Sequence, residues 1–130
     1  MTKKELVEKE IFDFHQNIKN WFRGNLSDKT IALKNLIDPF DSDFKLRNGD
    51  DKTMDFQQFI EWLPTAYGRS PDQDILVSDI MIYLSDNHAL ATYIETQSSN
   101  GQTTVRKSSA IFLLGKNKRI SWYHLMETWI

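Results

Sequence analysis

Residues 74–129 read DILVSDIMIYLSDNHALATYIETQSSNGQTTVRKSSAIFLLGKNKRISWYHLMETW, and this stretch decides the fold. It divides into four segments, 74–86, 88–99, 102–115 and 118–129. Each is dense in Val, Ile, Thr, Tyr, Phe or Trp, side chains that fit a pleated, half-buried surface. The breaks fall at Asp86-Asn87, Asn100-Gly101 and Gly115-Lys116-Asn117. Asn-Gly suits a two-residue hairpin because both central residues of a type I′ turn take positive φ. The stretch therefore reads as four consecutive strands in an antiparallel meander.

Upstream of it the periodicity changes to that of helices. Val7, Ile11, Phe14, Ile18 and Trp21 or Phe22 recur at three- and four-residue spacing, which predicts a helix from Lys3 to Arg23. Gly24-Asn25 stops it. A short second helix starts at a Ser27 or Asp28 cap and ends before Pro39. A strand from Asp43 to Arg47 and an Asn48-Gly49 turn follow. The third helix covers about Asp55 to Leu63, with Pro64 closing it. Helices first and a long antiparallel run afterwards make an α+β layering, one domain over residues 1–130.

The totals exclude several classes of function. Sixteen basic against 18 acidic residues leave a net charge of −2, with no basic excess for nucleic acid. The absence of cysteine removes disulfides, thiolate nucleophiles and cysteine-based zinc sites. No apolar run reaches the length of a membrane span. MTKKELVEKE lacks the apolar core of a secretory signal, so a cytoplasmic location is expected. Asp41, Asp43, Asp50, Asp51 and Asp55 cluster, but without the spacing or the terminal Glu of an EF-hand. Neither HxH nor HExxH occurs, so no metal is expected.

Hairpin arithmetic assigns side chains to faces. The Asn100-Gly101 turn sets Ser99 opposite Gln102, hence Thr92 opposite Ser109 and Glu95 opposite Arg106. The Asp86-Asn87 turn sets Tyr83 beside Leu90, and the turn near Gly115 sets Ser109 beside His124, to within two residues. One face then carries Asp79, Met81, Tyr83, Leu90, Ser109, Trp122, His124 and Met126. The other carries Ala91, Tyr93, Glu95, Arg106, Ser108, Phe112, Tyr123, Leu125, Glu127 and Trp129. Both are rich in apolar groups, so both should be covered. The expectation is that helices cover the first face. A second copy of the chain would cover the second, through Tyr93, Tyr123 and Trp129.

This order of elements, together with GKNKRISWYHLMET at Gly115–Thr128, resembles the nuclear transport factor 2-like (NTF2-like) superfamily. That is the cone fold of ketosteroid isomerases and SnoaL-type polyketide cyclases. The resemblance implies N-terminal helices packed in the concave face of a curved, mostly antiparallel sheet. It implies a pocket for a small apolar or amphipathic molecule, with no cofactor. It also places Ser109, Ile111, Leu113, Ile120, Trp122, His124 and Met126 on the cone wall. The isomerase groups would fall near Asn17, Leu46 and Ser109, none of which matches, so steroid isomerisation is not expected.

His124 is the candidate catalytic residue, a general base on the pocket face. The competing role is a wall histidine bonded to Ser109. Trp122, Ser109, Met126, Tyr83, Trp62, His15 and Asn17 are the candidate ligand contacts. Two functions remain open at this point. One is a small-molecule pocket protein, with lyase, isomerase or cyclase-type chemistry at a pocket histidine. The other is a non-catalytic dimeric interaction or assembly domain.

Overall fold

A computed structural model describes all 130 residues. The helices are α1 (Lys3–Arg23), α2 (Lys29–Ile37) and α3 (Phe56–Ala66). The strands are β1 (Phe40–Arg47), β2 (Thr53–Asp55), β3 (Asp74–Leu84), β4 (His88–Ser99), β5 (Gln102–Leu114) and β6 (Ile120–Trp129). They form one curved six-stranded sheet in the order β2-β1-β6-β5-β4-β3, antiparallel except where β1 runs parallel to β6. The three helices pack against this sheet, α+β as the sequence implies. No helix is long and apolar enough to cross a membrane.

Local chemistry fixes the helix ends. Thr2 and Glu5 form a capping box on α1, Asp28 caps α2, and Asp55 forms a second box with Gln58 on α3. α3 continues past Pro64, which the sequence reading took as its end. Pro64 is exposed in the last turn, where its ring removes one i→i−4 hydrogen bond without ending the helix. β1 begins three residues earlier than expected because Pro39 accepts from the Trp122 amide at 2.8 Å and docks the chain onto β6.

The first two hairpins pair as the turn arithmetic dictates: Tyr83 with Leu90, Thr92 with Ser109, Glu95 with Arg106 and Ser99 with Gln102. The last turn is longer, with a 3-10 segment at Lys116–Lys118, so Ser109 pairs with Met126 and His124 pairs with Ile111. Besides a shift in β1 between Phe40 and Lys45, two bulges interrupt the alternation of the meander. One lies between Ser78 and Met81, where Asp79 takes φ 56°, and one between Ile111 and Phe112, which makes Tyr123 the extra residue of β6.

The face assignment is corrected by the structure. The side toward the helices carries Ile82, Ala89, Ala91, Tyr93, Glu95, Ser108, Ala110 and Phe112, all buried. The physical reason is size. Alanine and serine at the centre of the sheet let α1 lie close, whereas Met81, Tyr83 and Leu90 would hold it off. Those large side chains are exposed on the far side. Because of the bulge, Trp122 and Leu125 both point inward even though they are three residues apart. Trp122 is fully buried against Phe14, Phe40 and Phe112, at centroid distances of 5.3, 5.5 and 4.4 Å. Its indole N–H donates to Glu10 at 2.9 Å.

Candidate ligand pocket

The cone is not filled. A cavity of about 420 Å³ opens between α1, α3, β1 and the inner face of β4–β6. Its floor is apolar: Phe14, Ile18, Phe40, Phe44, Phe59 and Leu125. Its remaining wall carries Arg69, Glu95, Gln97, Arg106 and Glu127, with Asn48 and Asp50 from the β1–β2 loop. Apolar depth with a few converging polar groups is the common form of a small-molecule site.

His15 lies at the deep side of this wall, brought inward by its place on the buried stripe of α1. Nδ1 is 2.6 Å from the Ile11 carbonyl oxygen and Nε2 is 2.9 Å from Oε1 of Glu95. A carbonyl and an ionised carboxylate can only accept. Both ring nitrogens therefore carry protons, and the pair is a buried imidazolium–carboxylate. Burial works against the charge on His15. The Glu95 bond and charge, with the Ile11 carbonyl, outweigh it and hold the imidazole above its ordinary 6.5. Burial likewise opposes ionisation of Glu95, but the bond and charge of His15, with Arg106 and Gln97, bring its carboxyl down to about 2.

A second pair lies beside the first. Arg106 donates from Nη1 to Oε2 of Glu127 at 3.2 Å, and its guanidinium stacks on Trp129 at 4.6 Å. Burial and the neighbouring Glu95 charge raise Glu127 above the usual carboxylate range, against the pull of Arg106. Nε of Arg106 is buried with no hydrogen-bond partner, as are the hydroxyls of Tyr93 and Ser108. Burial, then the charge of Glu95, push the Tyr93 phenol far above its usual range, so it stays neutral.

The cavity mouth is clasped. Trp129 donates from its indole to Oδ1 of Asp50 at 2.9 Å, and its ring covers Gly49. A Cβ at Gly49 would meet that ring at 2.5 Å, so only glycine fits there. Gly49→Ala should free the β1–β2 loop, at a cost of about 1–2 kcal/mol for the displaced contact. Faster amide exchange confined to Asn48–Lys52 would show it, and unchanged exchange would remove the clasp.

The remaining acidic residues of that region act singly. Asp41 accepts from the Asp43 amide, Asp51 pairs with Arg47, and Asp55 caps α3. No group of three or more His, Asp or Glu side chains gathers as a metal site.

The sequence-derived site residues divide. Trp62 and His15 line the cavity, and Trp122 faces the same core beneath it. His124 does not reach it: it lies on the far side of the sheet, paired with Lys45 and Ile111 in a shallow groove that also holds Gln58. Ser109, Met126 and Tyr83 are exposed on that same far face. Asn17 points to solvent from α1. The four placements on the sheet follow from the inverted faces, and Asn17 lies off the buried stripe of α1. Conversely Tyr93 and Trp129, assigned to the outer face, point inward.

Sequence reasoning missed Arg69, Arg106, Glu95, Glu127 and the Phe40–Phe44–Phe59 floor. A signal for three of them was present, since Glu95 is paired with Arg106 across the strands and Glu127 lies on the diagonal, opposite Ser108. The face they share was expected to meet a second copy of the chain, although the alanines flanking them mark the helix-covered side.

No protein-family model matches the sequence, and no curated protein matches it. Solved structures do. A nuclear transport factor 2-like protein of unknown function from Pseudomonas aeruginosa superposes with a TM-score of 0.88 at 25% identity, over 95% of this chain and 98% of that one. A nuclear transport factor 2-like protein from Cytophaga hutchinsonii gives 0.74 at 10% identity, over 100% of both chains. A putative ketosteroid isomerase from Parabacteroides distasonis gives 0.65 at 7% identity, over 92% and 85%.

Proposed function

Because this chain belongs to the nuclear transport factor 2-like superfamily, we propose that it is a cytoplasmic small-molecule-binding protein whose cone holds an amphipathic ligand. One observation carries this reading: the cone keeps an open cavity of about 420 Å³ with an aromatic floor and a charged wall. That volume falls in the range of about 300–1,000 Å³ common to ligand sites. Binding rather than turnover is the reading because the pocket histidine, His15, has both nitrogens committed and Glu95 is a weak base. A general base must be free to accept a proton.

A neutral fluorescent probe, N-phenyl-1-naphthylamine, tests the pocket. Its fluorescence should rise saturably with protein. Leu125→Trp, which builds an indole into the floor, should weaken that binding about tenfold or more with the fold retained by circular dichroism. Equal binding by the filled variant would sink the reading.

We infer further that the protein acts as a homodimer through the far face of the sheet. Met81, Tyr83, Leu90, Tyr123 and Met126 are exposed there, 39–56% each, and contiguous exposed apolar surface of this kind marks an interface. Met126→Glu should raise the dimer dissociation constant about thirtyfold or more in sedimentation equilibrium. A wild-type monomer at micromolar concentration would end the proposal.

A further inference from the structure

The polar end of the ligand is set by what the pocket wall leaves unspent. His15 and Glu95 hold each other at 2.9 Å, and Arg106 holds Glu127 at 3.2 Å. Asp50 accepts from Trp129. Arg69 differs from all of these. Its guanidinium lies over the rings of Phe22 at 4.1 Å and Trp62 at 5.4 Å, and forms neither an ion pair nor a hydrogen bond. Five N–H donors in a fixed plane are thus presented at the mouth of an aromatic cavity. The stacking orders the plane in advance, so little freedom is lost when an acceptor arrives. Arg106 contributes a second guanidinium to the same wall, with one buried N–H lacking any acceptor. Burial and the nearness of Arg106 disfavour the charge on Arg69, a repulsion that an anion between the two would relieve.

We propose that the ligand is an amphipathic monocarboxylate, its carboxylate held by the fork of Arg69 with Arg106 alongside, its apolar body on the phenylalanine floor. This rests on the pocket reading above and names its ligand class. A cation is disfavoured because the Phe22 and Trp62 faces already hold Arg69 and the buried carboxylates are paired. A dianion is disfavoured because Asp50, Glu95 and Glu127 surround the same space. A planar carboxylate matches a guanidinium through two parallel hydrogen bonds, which neither an alcohol nor an amine can form.

Calorimetric titration with octanoate, 1-octanol and octylamine compares three head groups on one chain. Octanoate should bind about tenfold or more tighter than octanol, and octylamine weakest. Arg69→Gln should reduce octanoate to the affinity of octanol measured in the same variant. Arg69→Lys should recover only part of the loss, because lysine keeps the charge without the fork. Equal affinity for octanoate and octanol, preference for octylamine, or an undiminished octanoate preference in Arg69→Gln would each overturn the carboxylate assignment. In those outcomes saturable binding of the neutral probe keeps the pocket reading intact. Failure of the probe as well would overturn both.

Discussion

His15→Leu should lower the free energy of unfolding by about 3–5 kcal/mol, measured by urea denaturation at pH 6. The variant keeps an apolar side chain on the buried stripe of α1, so packing loss is small. What it removes is the partner of Glu95, a carboxylate only 4% exposed. A buried charge without its counterion is among the largest single penalties a small domain can carry. Replacing both residues by Leu should recover part of the loss, since the pair itself contributes little beyond its own desolvation. A loss below 1 kcal/mol in the single variant would mean that water or Arg106 already satisfies Glu95.

The same pair shapes the pH profile, with a different sign on each limb. The His15 pKa is raised on folding, so its stabilisation is complete below 6.5 and is lost as the pH rises through the folded value. The Glu95 pKa falls from 4.5 to about 2, so its stabilisation is complete above 4.5 and is lost as the pH falls toward 2. Glu10 and Glu127 are raised and act in the opposite sense to Glu95. Subtracting the doubly substituted variant's stability curve from the wild type leaves the pair and its coupling to Glu127. That difference should be greatest between 4.5 and 6.5 and fall on both sides.

Trp122→Ala should cost about 3–5 kcal/mol, comparable to the loss of His15 but from packing. Trp122 is fully buried, and Phe14, Phe40 and Phe112 all rest on it. Phe40 begins β1, so the cavity left behind would loosen the strand that carries the pocket floor. Trp122→Phe separates the two parts of its role. It fills most of the volume but leaves Glu10 without the indole donor, at about 1–3 kcal/mol. If both variants unfold at the wild-type denaturant midpoint, Trp122 is not the keystone of that cluster.

How much of this was legible in the sequence depends on which interaction decides each feature. Helix α1 and the first two hairpins were readable because a 3.6-residue stripe and an Asn-Gly turn are local signals. The pairing of Glu95 with Arg106 followed from the turn alone. Which face turns inward was not local. It depends on how closely α1 can approach, and Ala89, Ala91 and Ala110 reveal that only when compared with the bulk of Met81, Tyr83 and Leu90 across the sheet. The inward turn of Trp122, two residues from the outward His124, depended on a bulge that no composition rule marks. The Arg69 platform needs Phe22 from α1 beside Trp62 and Arg69 from the end of α3 and the turn after it, so only tertiary structure assembles it. His15 was readable as a candidate, but its role required knowing that Glu95, eighty residues on, is its neighbour.

The extra residue in β6 has a consequence for how this cone could change size. Trp122 points in, Tyr123 and His124 point out, and Leu125 points in again. Delete Tyr123 and strict alternation returns with Trp122, Leu125 and Glu127 still facing inward. Only the bend that a bulge imposes on its strand is lost. Curvature and lining chemistry are therefore separate variables in this strand. A lineage could widen or flatten the cone by gaining or losing one codon, without exchanging a single group that meets the ligand.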